Sequence, residues 1–140
     1  MHTIPSSVLD FLQQPYNLAQ EQIDFYDTYR YIKLKKVFNE ETLQFFSTVI
    51  SEQVAKMNTV DTALEERTTY GKAFLQLFNL WQENETIKEL VFSKRLAKIA
   101  TQLMQTKGAR LYHDQALFKE AGGGITPWHA DQYYWPLETD

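Results

Sequence analysis

The residues best suited to chemistry lie in the segment PWHADQYYWP, where His129 and Asp131 are separated by one residue. On a β-strand, residues i and i+2 point to the same side, so an imidazole and a carboxylate at this spacing can reach one metal ion. The bare pattern is weak, since 3 His and 7 Asp in 140 residues give a His-x-Asp by chance about one time in seven. Its surroundings favour a partly desolvated site, because aromatic side chains flank it: Trp128, Tyr133, Tyr134 and Trp135. The pattern therefore predicts a metal site, with a surface coincidence as the alternative.

The segment before this pair reads as a strand followed by a glycine-rich turn. Residues 109–120 (ARLYHDQALFKE) alternate with a period of two, and one face of that strand mixes apolar with polar side chains: Leu111, His113, Gln115, Leu117 and Lys119. Such a face suits a strand that lines a polar cavity, and an ammonium there would need an anionic partner. An ordinary half-buried strand with this face in solvent is the alternative. The following AGGGITP favours a flexible turn or a close backbone approach.

Composition limits the classes of function. The chain has no Cys, which excludes disulfides, a thiolate nucleophile and Cys-ligated metals, so any metal site has N and O ligands. A net charge of −4 argues against a nucleic-acid module, and we interpret the basic excess in residues 85–119 as solvated helix faces. No stretch approaches the length of a membrane span, and the amino terminus does not resemble a signal peptide. We therefore expect a cytoplasmic protein that binds neither nucleic acid nor membrane.

The elements that must position these residues are mainly helical. Asn39 predicts the start of a helix over 40–57, with an inward face formed by Leu43, Phe46, Ile50 and Met57. A further helix is expected over about 18–30, followed by a short strand over 31–35.

Two more helices are predicted closer to the strand. Asn84 and Ser93 are suited to cap them, and their inward side chains would be Ile87, Leu90 and Val91 in the first and Leu96, Ile99, Ala100, Leu103 and Met104 in the second. Residues 58–72 are polar and unpatterned, which predicts a mobile surface loop, with a lid over a site as the other possibility.

The stretch LYHDQALFKEAGGGITPWHADQYYWPLETD resembles the metal-binding core of the phytanoyl-CoA dioxygenase family of non-haem Fe(II)/2-oxoglutarate oxygenases. The resemblance lies in the Gln115-x-x-x-Lys119 strand, the Gly/Thr/Pro loop, the Trp128-His129-x-Asp131 motif and the run at 134–136 (YWP). The upstream segments EQIDFYDTYRYIKL, FNEETL and FNLWQENETIKELVFSKRLAKIATQLM also look like the opening of the family. The similarity covers roughly residues 18–140 and is strongest after residue 109.

This resemblance implies an α+β fold in which helices pack on the start of a double-stranded β-helix (jelly-roll, cupin-like) core. It makes His129 and Asp131 two ligands of a facial Fe(II) triad, and it matches Lys119 and Gln115 to positions that contact the cosubstrate 2-oxoglutarate. His113 would border the pocket of a small-molecule substrate. The implied reaction consumes O2 and 2-oxoglutarate, releases succinate and CO2, and hydroxylates the substrate. Related enzymes that chlorinate have a small residue where Asp131 stands, so hydroxylation is the expected outcome.

The resemblance also implies parts that these residues do not supply, namely a third, distal His ligand and an Arg for the far carboxylate of 2-oxoglutarate. We therefore expect residues 1–140 to form a single domain that is the amino-terminal part of a larger oxygenase domain, helical over 1–108 and with the first barrel strands over 109–140. Alone it should be inactive, and the rest of the barrel or a partner chain would complete the site. There are two alternatives. The first is a non-catalytic binding or interaction protein, or an inactive fragment, that retains half of the oxygenase fold. The second is a zinc or manganese hydrolase. The hydrolase is disfavoured because no Glu in the motif can serve as its general base.

Overall fold

The computed structural model of the protein describes residues 2–135. Within that range the chain forms helices and one small sheet, an α+β composition as predicted. The helices are α1 (Ser6–Gln13), α2 (Gln20–Tyr29), α3 (Glu40–Met57), α4 (Thr69–Ala73), α5 (Leu80–Glu83), α6 (Glu85–Val91) and α7 (Lys94–Leu103). The strands β1 (Leu75–Phe78) and β2 (Gln115–Phe118) pair with each other, and 3-10 turns span Leu64–Glu66 and Asp131–Tyr133.

The chain divides into two compact units. The first comprises Met1–Asn58 and Leu77–Ala116, and the second comprises Thr59–Gln76 and Leu117–Asp140. No helix within residues 2–135 is both long and apolar enough to cross a membrane.

Three helices of the first unit begin at side-chain caps that the sequence predicts. The Asn39 side chain accepts a hydrogen bond from Thr42 N at 2.9 Å, and that of Asn84 accepts from the backbone of α6 at 3.0 and 3.3 Å. The Ser93 hydroxyl accepts from the backbone of α7 at 3.4 Å. A side-chain oxygen satisfies a backbone N–H that has no partner in the first helical turn, so these bonds fix where each helix starts.

The core of the first unit lies between α1, α3 and α6, where Val8, Leu12 and Phe46 are buried. The buried side of α3 consists of Thr42, Phe46, Val49, Gln53 and Val54. The predicted face of α3 is therefore partly wrong, since Leu43 is 55% exposed. Gln53 is buried on this side of α3 although it is polar, because its Oε1 accepts a hydrogen bond from Asn84 Nδ2 at 3.1 Å.

Three further predictions differ from the structure: those for Met104, for residues 31–35 and for residues 58–72. Met104 is half-exposed, because α7 ends at Leu103 and Met104 is its C-cap. The strand predicted over 31–35 is wrong; this segment has no regular structure and no sheet partner, since the sheet of residues 2–135 pairs β1 with β2. Residues 58–72 contain a 3-10 turn and the start of α4, so the loop prediction is partly wrong.

The predicted strand over 109–120 is confirmed only in its second half, as β2. Its partner β1 was not predicted, because the alternation in residues 75–78 spans only four residues. Residues 109–114 are irregular, and there the Asp114 carboxylate accepts hydrogen bonds from the start of α5.

Asp114 anchors the start of α5 with both its backbone and its side chain. Its carbonyl oxygen accepts from Asn79 N at 2.9 Å, and its carboxylate accepts from Leu80 N at 3.2 Å and Trp81 N at 3.5 Å. Asn79 has φ 57°, a left-handed conformation that asparagine tolerates. The carboxylate thus serves as the cap of a helix whose own N-cap residue makes no side-chain bond.

We expect Asp114→Ala to lower the free energy of unfolding by about 1–2 kcal/mol, the usual cost of a lost helix cap. Asp114→Asn retains an acceptor oxygen and should lose less. Urea denaturation measures both, with Asp10→Ala, an exposed residue of α1, as the control. Equal stability of Asp114→Ala and the parent protein would show that the carboxylate does not cap α5.

Candidate functional site

The pair His129 and Asp131 lies in the second unit, at the point where extended chain turns into a 3-10 turn. Ala130 is extended, with φ −120° and ψ 127°, and the turn is closed by the bond from Tyr134 N to the Asp131 carbonyl at 2.9 Å. The predicted placement of both ligands on a strand is therefore wrong, because the backbone leaves the extended conformation at Asp131. The extended geometry at Ala130 alone is enough to place the two side chains on one side.

The structure brings the two side chains together, with His129 Nε2 at 3.5 Å from Asp131 Oδ1. The other ring nitrogen, Nδ1, is 2.9 Å from the carbonyl oxygen of Pro127. A carbonyl oxygen only accepts hydrogen bonds. In the neutral ring, Nδ1 therefore carries the hydrogen and donates a hydrogen bond to the Pro127 carbonyl. The lone pair of Nε2 then faces the side of Asp131, which is the tautomer that a metal-ligating histidine needs.

This donor set fits a divalent metal ion. Two ligand atoms about 2.1 Å from one ion and about 90° apart would be about 3.0 Å from each other, so the observed gap needs to close by about 0.5 Å. The Asp131 side chain is 78% exposed and can make that movement by rotation. Among residues 2–135, His, Asp and Glu side chains form no cluster of three that could hold a metal.

The glycine loop between β2 and this pair folds back on α4. Gly124 N donates to Lys72 O at 2.7 Å, and Gly123 N donates to Glu120 O at 3.0 Å. A Cβ on Gly123 would lie 2.8 Å from the Lys72 carbonyl oxygen, closer than real Cβ atoms come. The predicted close backbone approach is confirmed here, and only glycine allows it.

Lys119 lies just after β2, is exposed, and donates from Nζ to the carbonyl of Gly124 in its own loop. The sequence predicts that this strand face lines a cavity, whereas the structure leaves the Lys119 side chain exposed and bonded to the loop that follows β2. Gln115 is the exposed first residue of β2 and belongs to the first unit. His113, also in the first unit, packs edge-on against Phe78 and Tyr112, at centroid distances of 5.3 and 5.0 Å.

The aromatic surroundings of the pair are less buried than the sequence predicts. Trp128 is fully exposed, Tyr133 is 91% exposed and Ile125 is 83% exposed. The Tyr134 ring stands edge-on to His129, with centroids 6.1 Å apart. Pro136, the last residue of the YWP run, lies outside the described residues.

Sequence reasoning missed Arg67, which forms an ion pair with Glu120. These two residues are 53 positions apart, with Arg67 in the unpatterned segment 58–72 and Glu120 at the end of the predicted strand. No local signal joins them, so only the fold reveals the pair.

Comparison with known proteins gives a family for this arrangement. A family model described as phytanoyl-CoA dioxygenase matches residues 13–140. No curated protein and no solved structure matched the chain. The matched range contains the glycine loop and the His129–Asp131 pair, together with α2 to α7.

Proposed function

This chain belongs to the phytanoyl-CoA dioxygenase family, and from that premise we propose that it contributes two iron ligands to a non-haem Fe(II)/2-oxoglutarate-dependent dioxygenase. The reaction proposed is hydroxylation of a small organic substrate. The observation that supports it most is the geometry of the pair: His129 Nδ1 lies 2.9 Å from the Pro127 carbonyl oxygen, and His129 Nε2 lies 3.5 Å from Asp131 Oδ1. Bound iron would supply activation of O2, with 2-oxoglutarate as the source of two electrons.

The role proposed for this chain's own residues is to bind and orient. His129 would hold its ring in one orientation through Pro127, which lowers the entropy lost when a metal binds. Asp131 would supply a negatively charged oxygen, which hard and borderline cations prefer. The remaining barrel strands, or a partner chain, are proposed to supply the third ligand and the Arg for 2-oxoglutarate.

The exposed apolar side chains beside the pair support that last proposal. Ile125, Trp128 and Tyr133, which lie within four residues of the pair in the chain, are all more than four-fifths exposed, and exposed apolar surface often marks a site that another surface covers. Strands that cover them would also exclude water from the metal, and a dry site protects a reactive oxidant from side reactions. The incomplete jelly-roll that we expected from the sequence remains a proposal of the same kind.

The experiment that tests this function is succinate release by the natural polypeptide that contains this sequence. We expect release that requires Fe(II), 2-oxoglutarate and O2, with any converted substrate heavier by one oxygen atom, also in excess chloride. A chlorinated product would show that Asp131 does not ligate the metal. If succinate release stays at the protein-free level, the chain is better explained as the non-catalytic binding protein.

Lys119 is proposed to bind 2-oxoglutarate. An ammonium has three N–H donors, so it can hold the Gly124 carbonyl and a carboxylate at the same time. Because a hydrogen bond to a charged group contributes about 1.5–3 kcal/mol, Lys119→Met should raise the KM for 2-oxoglutarate roughly tenfold or more with folding intact.

Steady-state kinetics of succinate release measures this effect, with thermal unfolding as the test of folding. Lys98→Met, which removes an exposed ammonium from α7, is the matched control and should leave the KM unchanged. A Lys119→Met protein that is less stable but keeps its KM would assign Lys119 to structure.

A further inference from the structure

Arg67 makes a set of contacts that no sequence pattern suggests. Its Nε donates to the Thr62 carbonyl at 2.9 Å, and its two terminal nitrogens face both carboxylate oxygens of Glu120, Nη2 at 3.5 Å from Oε1. The Arg67 side chain is 15% exposed and that of Glu120 is 36% exposed. A planar guanidinium that grips a carboxylate with both nitrogens fixes its orientation as well as its distance.

A second contact joins the same two segments a few residues later. Gly124 N donates to the Lys72 carbonyl, and Gly123 lies so close to that carbonyl that no side chain fits. The glycine loop is therefore held at both ends, by a side-chain pair at Glu120 and by main chain at Gly123 and Gly124. We call this arrangement, formed by Arg67, Lys72, Glu120, Gly123 and Gly124, the Arg67 clasp.

The clasp lies directly before the candidate ligands in the chain. Residues 125–130 form neither helix nor strand, and Ile125 and Trp128 in this stretch are exposed. Few packing contacts therefore order the chain between Gly124 and His129, and its position depends on where the glycine loop is held. A metal site loses affinity when its ligands must be ordered as the ion binds.

We propose that Arg67 is a positioning residue for the metal site: through Glu120 it fixes the glycine loop, which presents His129 and Asp131 to the ion. This inference rests on the proposed function, because it assumes that the pair binds a metal. Arg67 itself touches neither ligand and takes no part in the chemistry. In this proposal, residues 58–72, for which the sequence predicts a mobile loop, contain the residue that positions the metal site.

The test compares Arg67→Gln, Glu120→Gln and the double variant in the natural polypeptide. Anaerobic titration with Fe(II) should show each single variant binding roughly tenfold more weakly, and the double variant no more weakly than either single one, because both changes break one interaction. The matched control is Arg30→Gln, which breaks the exposed Arg30–Asp27 pair at the end of α2 and should leave iron affinity unchanged. Arg67→Lys keeps the charge without the fork and should restore only part of the affinity.

Hydrogen exchange of the metal-free protein supplies a readout that is independent of iron. Backbone amides of residues 121–131 should exchange faster in Arg67→Gln, while those of α3 keep the parent rate. Iron affinity and exchange that both equal the parent values in Arg67→Gln would overturn the inference, as would faster exchange spread equally over α3, which indicates general destabilisation. If the parent protein itself fails to bind iron, the proposed function fails; if it binds iron and the variants match it, only this inference fails.

Discussion

Replacing His129 or Asp131 by alanine is expected to reduce the iron bound by the natural polypeptide from about one equivalent to nearly none. Each substitution removes one of the two donor groups that the structure places 3.5 Å apart. The remaining protein ligands would then be too few to hold a cation that binds water strongly, and loss of a single ligand typically costs orders of magnitude in affinity. Equilibrium dialysis without oxygen, followed by metal analysis, measures the stoichiometry.

The chain offers a matched control in a second His–carboxylate pair. His2 Nε2 lies 2.6 Å from Glu52 Oε2 in the first unit, with both side chains exposed. His2→Ala should leave bound iron unchanged, which separates the loss of a specific ligand from the loss of any surface imidazole. Bound iron near one equivalent in both His129→Ala and Asp131→Ala would refute the ligand assignment.

The largest effect on stability is expected for Arg95→Met, which should lower the free energy of unfolding by about 3 kcal/mol or more. Arg95 is 8% exposed, and its Nε donates to the Val37 carbonyl at 2.5 Å. Its Nη1 donates to the carbonyls of Gln14 and Pro15, at 3.1 and 3.4 Å, and the guanidinium lies 4.2 Å above the centroid of the Phe11 ring. One side chain on α7 thus satisfies acceptors at the end of α1 and in the segment before α3.

Methionine keeps much of the length of the side chain but leaves these three carbonyls without their charged donor, and a hydrogen bond to a charged group contributes about 1.5–3 kcal/mol. The stacking on Phe11 is lost as well. Chemical denaturation of the natural polypeptide measures the change, with Arg110→Met, an exposed residue after α7, as the control. If Arg95→Met lowers the free energy of unfolding no more than Arg110→Met does, then Arg95 does not stabilise the segments after α1 and before α3.

The features that could be predicted from the sequence are the local ones. Asn39, Asn84 and Ser93 cap helices where predicted, because the acceptor and the N–H that it satisfies are two or three residues apart. The His129–Asp131 pair is equally local. Its two side chains lie 3.5 Å apart as the spacing predicts, although a 3-10 turn begins at Asp131 where a strand was expected. In both cases, neighbouring residues determine the geometry.

The features that could not be predicted depend on residues far apart in the chain. Gln53 is buried on α3 with Asn84 as its hydrogen-bond partner. That partner lies 31 residues away, so the sequence around Gln53 does not predict it. The Arg67–Glu120 pair, whose residues are 53 positions apart, follows from how the glycine loop folds, which periodicity does not determine. The same reason explains why β1 went unpredicted, since a four-residue strand is defined by its partner.

We propose that His129 and Asp131 hold Fe(II) in a position where 2-oxoglutarate can chelate it. The visible absorption of the natural polypeptide, recorded without oxygen, tests this most directly, because a 2-oxo acid bound to Fe(II) through two oxygens produces a charge-transfer band. We predict a band that needs Fe(II), 2-oxoglutarate and both side chains, and that is retained in His2→Ala. A band of equal strength in His129→Ala and Asp131→Ala, or no band in the parent protein at saturating Fe(II) and 2-oxoglutarate, would contradict the claim.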